Sequence, residues 1–333
     1  MDITVLLGDP RLPYSYNLSN QFEPQDHLAV SRLREALDTL TGYRFQFLDD
    51  HERLWQTLEQ DRPALVLNFC NTGYRNAPTR QLHITAMLEM LEVPYAGAGP
   101  EAMVLCHHKY HVYAQAADLG VPVPWNILAD PAQPDVRLPE LYPAFIKANG
   151  GDGSIGIGPN SLVHGPDEAE RCLRELHALL PEQLALIQDY LPGPEYSVGV
   201  VGNPHSGLTV LPPLQIDFSA LDDDLPPIMT YESKVDPHSP YWEKVRFIPA
   251  ESERACQHMT AYAKLMFERM GCRDYARMDF RADAEGMPRL IDINAHPMWG
   301  EGGMLATVTS YQGRSYAQLL ESIIDAARTR MQL

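Results

Sequence analysis

Two short apolar runs within residues 276–294 carry polar side chains at alternating positions. Their sequences, ARMDF and LIDIN, are typical of the two strands of a β-hairpin, and residues two apart in a strand lie on the same face. A two-residue turn at Glu285-Gly286 would set two pairs opposite each other: Asp279 with Asp292, and Arg277 with Asn294. All four polar side chains are therefore predicted on one face of the hairpin.

The oxygen-bearing side chains of this face favour a bound cation. Two carboxylates, Asp279 and Asp292, repel each other unless a positive charge lies between them, and Asn294 adds an amide oxygen. Hard oxygen ligands of this kind suit Mg²⁺ or Mn²⁺, which bridge nucleotide phosphates. The alternative is a solvated sheet face with a simple ion pair. We favour the metal site, because apolar residues alternate with the polar ones on both strands.

A second candidate site is the glycine-rich stretch IKANGGDGSIGIG at residues 146–158. Lys147 stands at the end of an apolar strand, and the glycines after it, Gly153 among them, allow backbone N–H groups to close on phosphate oxygens. Ser154 adds a hydroxyl donor. The stretch matches neither the Walker A pattern nor the GxGxxG pattern of dinucleotide-binding proteins. By itself it also fits a mobile turn, and Lys147 fits a surface lysine that extends to solvent.

The first hundred residues are predicted to form an α/β layer. Short β-like runs alternate there with helical stretches, which favours a parallel sheet covered by helices. Leu33, Leu37 and Leu40 have helical spacing. The β-like runs lie at 3–7, 43–48 and 64–68, a further helix is expected at 78–91, and VPYAGAG closes the block near Gly99.

The rest of the chain is predicted as mixed α and β structure. Residues 212–250 are rich in Pro and Asp and have no clear period, so we expect a long ordered loop there. Apolar patterns indicate helices at 109–119, 166–180, about 255–270 and about 314–330, and strands at 142–148, 184–191 and 196–202 in addition to the hairpin.

Composition excludes several classes of protein. The chain has 333 residues, of which 45% are hydrophobic and 21% charged, enough apolar mass for two or three cores. A formal net charge of −18 without a cluster of Lys or Arg argues against a nucleic-acid partner. Since no signal-peptide pattern and no run of eighteen apolar residues occurs, we expect a cytoplasmic protein without a membrane partner. The five widely spaced cysteines favour buried thiols over disulfides or structural zinc.

Five motifs follow one another in the order of a known family. They are VPYAGAGPEAMVLCHHK, KANGGDGSIGIG, LPGPEYSVGVVG, TYESK and the hairpin ARMDF…LIDIN. Over most of its length the chain thus resembles the ATP-grasp superfamily, and within it the D-alanine–D-alanine ligases. The resemblance implies an ATP-grasp fold of the α/β class, α+β in the C-terminal half, with ATP held between two of three domains. We expect an N-terminal α/β domain at 1–104, a central lid domain at 105–190 and a catalytic domain at 191–333.

The resemblance also implies roles for the motif residues. Lys234 would contact the transferred phosphoryl group, and Arg277 would face the oxyanion of a tetrahedral intermediate. The hairpin would bind two Mg²⁺ ions, for which Mn²⁺ can substitute. The implied ATP-binding residues are Lys109, Lys147, Gly153, Ser154, Gln188, Leu191 and Glu195, and the implied metal ligands are Asp279, Asp292 and Asn294. For Lys109, Gln188 and Lys234 the assignment rests on the resemblance alone.

The chain departs from the family on the substrate side. The family's first loop has a glycine-rich turn and a glutamate for the first amino acid, and here GDPRLPYSYNLSNQFEPQDH replaces it. The family's serine-bearing turn for the second substrate is replaced by AHPMWGEGGM, in which His296 could act as a base for the amine or only hydrogen-bond its neighbours. The candidate substrate residues are Glu23, or Asp26 in its place, and His296, Gly302 and Gly303.

These features predict an ATP-dependent ligase that releases ADP and phosphate. The enzyme would join the carboxylate of one small amino or carboxylic acid to the amine of another through an acyl phosphate. Two other interpretations stay open: a genuine D-alanine–D-alanine ligase of peptidoglycan synthesis, and an ATP-binding module without turnover. Small-molecule substrates are the expected partners, and the habit of the family implies a homodimer.

Overall fold

A computed structural model describes residues 1–133 and 136–333 of the protein. Its first sheet is parallel. Its strands run in the order β2-β1-β3-β4, and Leu33 and Leu37 of helix α1 are fully buried against it. The predicted parallel α/β layer is therefore confirmed. The elements are β1 Asp2–Leu6, α1 Pro24–Asp38, β2 Arg44–Leu48, α2 Leu54–Gln60, β3 Leu65–Asn68, α3 Gln81–Met90 and β4 Tyr95–Ala96.

A second, antiparallel sheet of four strands follows, with the order β5-β8-β6-β7. Helix α6 covers one face of this sheet with Cys172, Leu173 and Leu176. The elements of this part are α4 Pro100–His107, α5 Lys109–Asp118, β5 Asn126–Ala129, β6 Ala144–Ala148, β7 Leu162–Val163, α6 Pro166–Leu179 and β8 Ala185–Asp189. Helix α4 is absent from the sequence-based expectation, although Pro100 stands at its first turn, where proline is favoured.

The third sheet is antiparallel and holds the hairpin. Its path is β12-β11-β9-β13-β14, with β10 paired to β9 outside that path. The elements are β9 Glu195–Asn203, β10 Gly207–Val210, β11 Leu214–Asp217, α7 Glu232–Val235, α8 Pro240–Lys244, β12 Arg246–Pro249, α9 Glu253–Arg269, β13 Asp274–Ala282, β14 Pro288–Asn294, α10 Met304–Tyr311 and α11 Tyr316–Met331. Short 3₁₀ turns occur at Tyr74–Asn76, Pro78–Arg80 and Pro159–Ser161.

The expectation of a long loop at 212–250 is wrong. The segment contains strands β11 and β12, which pair with each other, and the short helices α7 and α8. Leu214 and Ile216 of β11 do alternate inward, but two inward positions are too few to show a period. The remaining stretch, rich in Pro and Asp, is irregular, as its composition predicts.

Helices cross between the three parts of the chain. Helices α4 and α5 contribute Ala102, Met103 and Val112 to the core beneath the third sheet. The C-terminal helix α11 packs on the first sheet and the third sheet, in one core that contains Ile3 and Ile323. The domain limits 1–104, 105–190 and 191–333, the middle one of which includes two residues outside the described ranges, stay a prediction.

Two further features bear on the class of protein. The five cysteines carry free thiols, and only Cys256 is partly exposed while the other four are buried. In the described parts of the chain, no helix combines the length and the apolar character that a bilayer crossing requires.

Candidate active site

One cavity lies between the second sheet and the third sheet. Every residue that the sequence predicts for nucleotide, metal or phosphoryl contact lines it. These residues are Lys109, Lys147, Gly153, Ser154, Gln188, Leu191, Glu195, Lys234, Arg277, Asp279, Asp292 and Asn294. The candidate substrate residues Glu23, His296, Gly302 and Gly303 do not line this cavity.

The hairpin has the register that the sequence predicts at the site, although the predicted turn is wrong. Arg277 pairs with Asn294 and Asp279 with Asp292, while the strands are joined by a five-residue loop, 283–287. The side chain of Asp283 causes the difference, because it accepts hydrogen bonds from the backbone N–H groups of residues 285 and 287.

A β-bulge restores the register between this loop and the site. The pairing shifts by one residue after Asp279, so that Ile291 on β14 has no partner across the ladder. The carbonyl of Ile291 instead accepts hydrogen bonds from Lys147 Nζ at 3.0 Å and from the Tyr113 hydroxyl, whose oxygen lies 3.0 Å away. The bulge thus both aligns the carboxylates and provides a polar group at the cavity.

Asp279 is the centre of a hydrogen-bond network. Arg277 donates to both carboxylate oxygens at 2.9 Å, Ser197 Oγ donates at 2.7 Å, and Asn294 Nδ2 donates at 3.1 Å. Burial acts to raise the pKa of Asp279, but the Arg277 guanidinium outweighs it and holds that pKa below its usual value. Asp279 is therefore a carboxylate at neutral pH, with its charge balanced by Arg277.

The side-chain oxygen atoms of the hairpin fit a hard divalent cation. Asp292 Oδ2 lies 3.6 Å from Lys109 Nζ, and Asn294 donates through its nitrogen, which leaves its amide oxygen for another partner. No group of three or more His, Cys, Asp or Glu able to hold a metal occurs in residues 1–133 and 136–333. The candidate metal set accordingly consists of two carboxylates and one amide oxygen, which suits Mg²⁺ when a bound phosphate supplies further oxygens.

Three lysines approach the cavity from three segments. Lys109, at the start of α5, donates to the Gly151 carbonyl at 2.7 Å and so contacts the glycine-rich loop. Lys147 is the next-to-last residue of β6 and is only 4% exposed. Lys234, in α7, donates to Ser154 Oγ at 2.8 Å. These contacts concentrate positive charge where the glycine-rich loop faces the hairpin, as binding of a polyphosphate requires.

Burial perturbs two of these lysines. Desolvation lowers the pKa of Lys147 to about 8, and the neighbouring Asp292 only partly opposes the shift. Desolvation, together with the nearby Arg277, likewise lowers the pKa of Lys234 to about 8. The neighbouring carboxylates only partly offset the desolvation of the two ammonium groups, and a bound polyphosphate would add the missing negative charge.

Further polar side chains line the cavity beside apolar ones. Gln188 Oε1 lies 2.8 Å from the Tyr113 hydroxyl. Leu191, two residues beyond the end of β8, also lines the cavity. Glu195, at the start of β9, forms an ion pair of 2.9 Å with Arg281. Sequence reasoning did not identify Arg281 or Tyr113. For Arg281 a signal existed, because it follows Asp279 by two residues and alternation puts it on the same strand face.

The candidate substrate residues have other neighbours. Glu23 precedes α1 and its carboxylate accepts hydrogen bonds from Ser19 Oγ at 2.7 Å and from Gln25 Nε2. His296 lies 2.8 Å from the Asn68 carbonyl through Nε2, and burial lowers its pKa. Asp26 accepts from Asn17, and Gly303 caps the start of α10 directly after Gly302. Their substrate contacts stay a prediction.

The first loop of the chain reaches the glycine-rich loop. The Tyr16 hydroxyl donates to the Gly153 carbonyl at 3.2 Å, and its ring meets that of Tyr231 edge-on at 5.6 Å. The Tyr231 hydroxyl donates to the Tyr16 carbonyl, while the Tyr231 backbone N–H donates to the Ile157 carbonyl at 2.9 Å. Three segments distant in sequence therefore meet at the glycine-rich loop, an arrangement that local sequence patterns do not reveal.

Comparisons with known proteins agree with this architecture. Residues 130–325 match the family model described as D-ala D-ala ligase C-terminus. The uncharacterized protein y4sG of Sinorhizobium fredii is 29% identical over 266 residues, which cover 75% of this chain and 71% of that protein. A D-alanine–D-alanine ligase of Oleidesulfovibrio alaskensis is 29% identical over 296 residues, 88% of either chain. The crystal structure of the Bacillus anthracis D-alanine–D-alanine ligase with ATP superposes with a TM-score of 0.73 at 18% identity, over 100% of this chain and 99% of that one.

Proposed function

The chain belongs to the D-ala D-ala ligase C-terminus family of ATP-grasp ligases, which form peptide bonds at the expense of ATP, and from this we propose its reaction. We propose that it joins two small amino acids, or an amino acid and a carboxylic acid, in the cavity described above. The observation that carries the proposal is the convergence of Lys109, Lys147 and Lys234 on the carboxylates of one hairpin. A triphosphate bound there would meet the three lysines, and metal ions held by the carboxylates would neutralise its remaining charge.

The reaction that we propose has two steps. The carboxylate of the first substrate attacks the γ-phosphorus of ATP, which gives an acyl phosphate and ADP. The amine of the second substrate then attacks the acyl carbon, and inorganic phosphate leaves as the amide bond forms. Lys234 neutralises charge on the transferred phosphoryl group, and Arg277 stabilises the oxyanion of the tetrahedral intermediate.

Asp279, Asp292 and the amide oxygen of Asn294 would hold Mg²⁺, with Mn²⁺ as a substitute. Bound there, the metal supplies charge neutralisation between the nucleotide phosphates. Asp279 balances the charge of Arg277 in an ion pair of 2.9 Å. We infer that this pairing keeps the guanidinium beside the metal site, where it is available to the reacting carbonyl.

We propose that the contacts among the first loop, the glycine-rich loop and the segment around α7 exclude water from the acyl phosphate. Replacing Tyr16 with phenylalanine removes the 3.2 Å hydrogen bond to Gly153 but keeps the aromatic contact with Tyr231. We expect a few-fold rise in the ratio of ADP released to amide formed, because water then reaches the intermediate. Simultaneous assays of ADP and product measure this ratio, and Tyr110→Phe, at an exposed tyrosine, is the control.

Proton uptake tests the proposed roles of the lysines. With pKa values of about 8, Lys147 and Lys234 are each about half protonated at pH 8 in the free protein. Bound phosphates favour the charged form, so ATP binding at pH 8 is expected to take up roughly one proton in total, and affinity is expected to fall as the pH rises above 8. Calorimetry in buffers of different ionisation enthalpy measures the uptake, which should largely vanish at pH 6.5. Uptake that is unchanged in Lys147→Met would contradict this assignment.

A substrate screen tests the proposed function itself. Purified protein with ATP and Mg²⁺ is offered pairs of D- and L-amino acids and simple carboxylic acids, and phosphate release is recorded. We expect release that depends on one particular pair, with the amide product detected by mass spectrometry. ATP binding without any substrate-dependent phosphate release across the panel would favour the ATP-binding module instead. Selective use of two D-alanine molecules would identify the peptidoglycan reaction.

We further propose that the working partners are these small molecules alone, with no nucleic acid and no membrane, and that the protein is a cytoplasmic homodimer. The net charge of −18 supports the first part, since a polyanion would be repelled. The dimer follows the habit of the resembled ligases, and sedimentation velocity of the full chain tests it.

A further inference from the structure

One buried arginine beside the cavity has no part in the reaction proposed above. Arg281 on β13 is 6% exposed and lines the cavity. Its Nε donates to the Leu191 carbonyl at 2.6 Å, Nη1 donates to Glu195 Oε2 at 2.9 Å and to the Pro227 carbonyl at 2.8 Å, and Nη2 donates to the Tyr190 hydroxyl at 2.9 Å. The guanidinium is therefore fixed by partners on three separate segments, so its orientation is determined by the fold.

The ion pair leaves one oxygen of Glu195 for another partner. Glu195 lies opposite Arg281 in the β9–β13 ladder and also lines the cavity. Within the described residues, Oε2 accepts from Arg281 and no protein group donates to Oε1. Because an ionised carboxylate only accepts hydrogen bonds, the free oxygen of Glu195 can recognise only a donor, such as a hydroxyl group.

The family resemblance implies that Glu195 contacts the ribose hydroxyls of the nucleotide. We propose that Arg281 is a positioning residue that orients the Glu195 carboxylate for this contact, so that the preference of the enzyme for ribonucleotides over deoxyribonucleotides depends on Arg281. This inference rests on the proposed function, because it requires ATP in the cavity. A deoxy sugar leaves the free oxygen of Glu195 without its donor, and an unsatisfied buried acceptor lowers affinity. Without Arg281 the carboxylate has no fixed orientation, so it contributes little to the discrimination.

A purely structural role for Arg281 gives a different result. The contacts with Leu191 and Pro227 tie the segment after β8 to the segment before α7, and both segments border the cavity. If Arg281 only held these segments, its loss would weaken the binding of ATP and deoxy-ATP equally. The ratio of the two affinities therefore separates orientation of Glu195 from general support of the cavity.

The test measures binding of ATP, 2′-deoxy-ATP and 3′-deoxy-ATP to the full chain with Mg²⁺ by calorimetry, without acceptor substrates. We expect the parent to bind ATP about tenfold tighter than at least one deoxy analogue. In Arg281→Met this preference should fall to about twofold or less. Glu195→Gln should lose the preference to a similar extent, and the double variant should lose no more, because both changes remove the same interaction.

Arg289→Met is the matched control, since Arg289 lies directly across the hairpin from Arg281 and pairs with Asp283 outside the cavity. It should keep the tenfold preference. If Arg281→Met does not fold, Arg281→Lys and Glu195→Gln carry the same comparison. A variant at Arg281 that keeps the preference of the parent, or that weakens all three nucleotides equally, overturns the inference. A parent that binds none of the nucleotides contradicts the proposed function as well, whereas a parent that prefers ATP leaves that function standing whatever the variants do.

Discussion

Replacing Asp292 with asparagine is expected to lower kcat about a thousandfold, because a metal ion in its proper place contributes several kcal/mol to charge neutralisation in the transition state. The change removes one negative charge from the metal set but little else. The Asp292 side chain is 21% exposed and lies 3.6 Å from Lys109 Nζ. Such a contact contributes at most about 1 kcal/mol to the free energy of unfolding, so thermal unfolding should shift by only a few degrees.

Asp279 is a less clean position for this test. Asp279→Asn leaves the buried Arg277 guanidinium without its bidentate partner, which costs about 3–5 kcal/mol when a buried pair is broken. Loss of activity in that variant could then reflect a disturbed fold. Asp283→Asn provides the opposite control, because Asp283 lies on the same hairpin, pairs with Arg289 and does not line the cavity.

The Asp292 experiment consists of steady-state kinetics at increasing Mg²⁺ concentration, together with thermal unfolding. We expect Asp292→Asn to require much more Mg²⁺ for its residual activity, and Asp283→Asn to lose stability but keep kcat. Wild-type kinetics in Asp292→Asn would remove Asp292 from the metal set. A Mg²⁺ dependence of Asp292→Asn equal to that of the wild type would also remove Asp292 from the metal set.

The hairpin shows what sequence alone can predict about this site. Alternation along each strand correctly placed Arg277 and Asp279 opposite Asn294 and Asp292. The predicted two-residue turn was nevertheless wrong, and the register survives only because the bulge at Ile291 compensates for the longer loop. A bulge and a loop organised by one carboxylate depend on local hydrogen bonds, which hydrophobic periodicity does not encode.

Residues joined by the tertiary structure were harder to predict. The convergence of the three lysines followed from the order of the family motifs, and neither spacing nor periodicity would have located Lys109 or Lys234. Tyr16 lies in an irregular loop and contacts Gly153, 137 residues further along the chain. Such contacts are fixed by packing between separate sheets, so the pattern around Tyr16 carries no sign of them. Arg281 was also missed, although strand alternation would have been enough to place it on the same strand face as Asp279.

Replacing Arg277 with lysine is expected to lower kcat about 100- to 1000-fold, the effect of losing one donor to a developing oxyanion. Lysine keeps the positive charge beside Asp279 but cannot form both 2.9 Å hydrogen bonds, so the charge is no longer held in a fixed direction. If Arg277 acts on the tetrahedral intermediate, the first step should survive the change. Rapid-quench experiments should therefore show a burst of about one ADP per active site, followed by very slow amide formation.

Arg273→Lys is the matched control for this prediction. Arg273 precedes the same strand and donates to the Gly97 carbonyl at 3.0 Å, and it does not line the cavity. It should retain both the burst and the amide-forming step. A burst that disappears in Arg277→Lys would place the guanidinium in phosphoryl transfer instead, and an unchanged kcat would remove it from the reaction. Because the two half-reactions are read separately, each outcome assigns Arg277 to one of them or to neither.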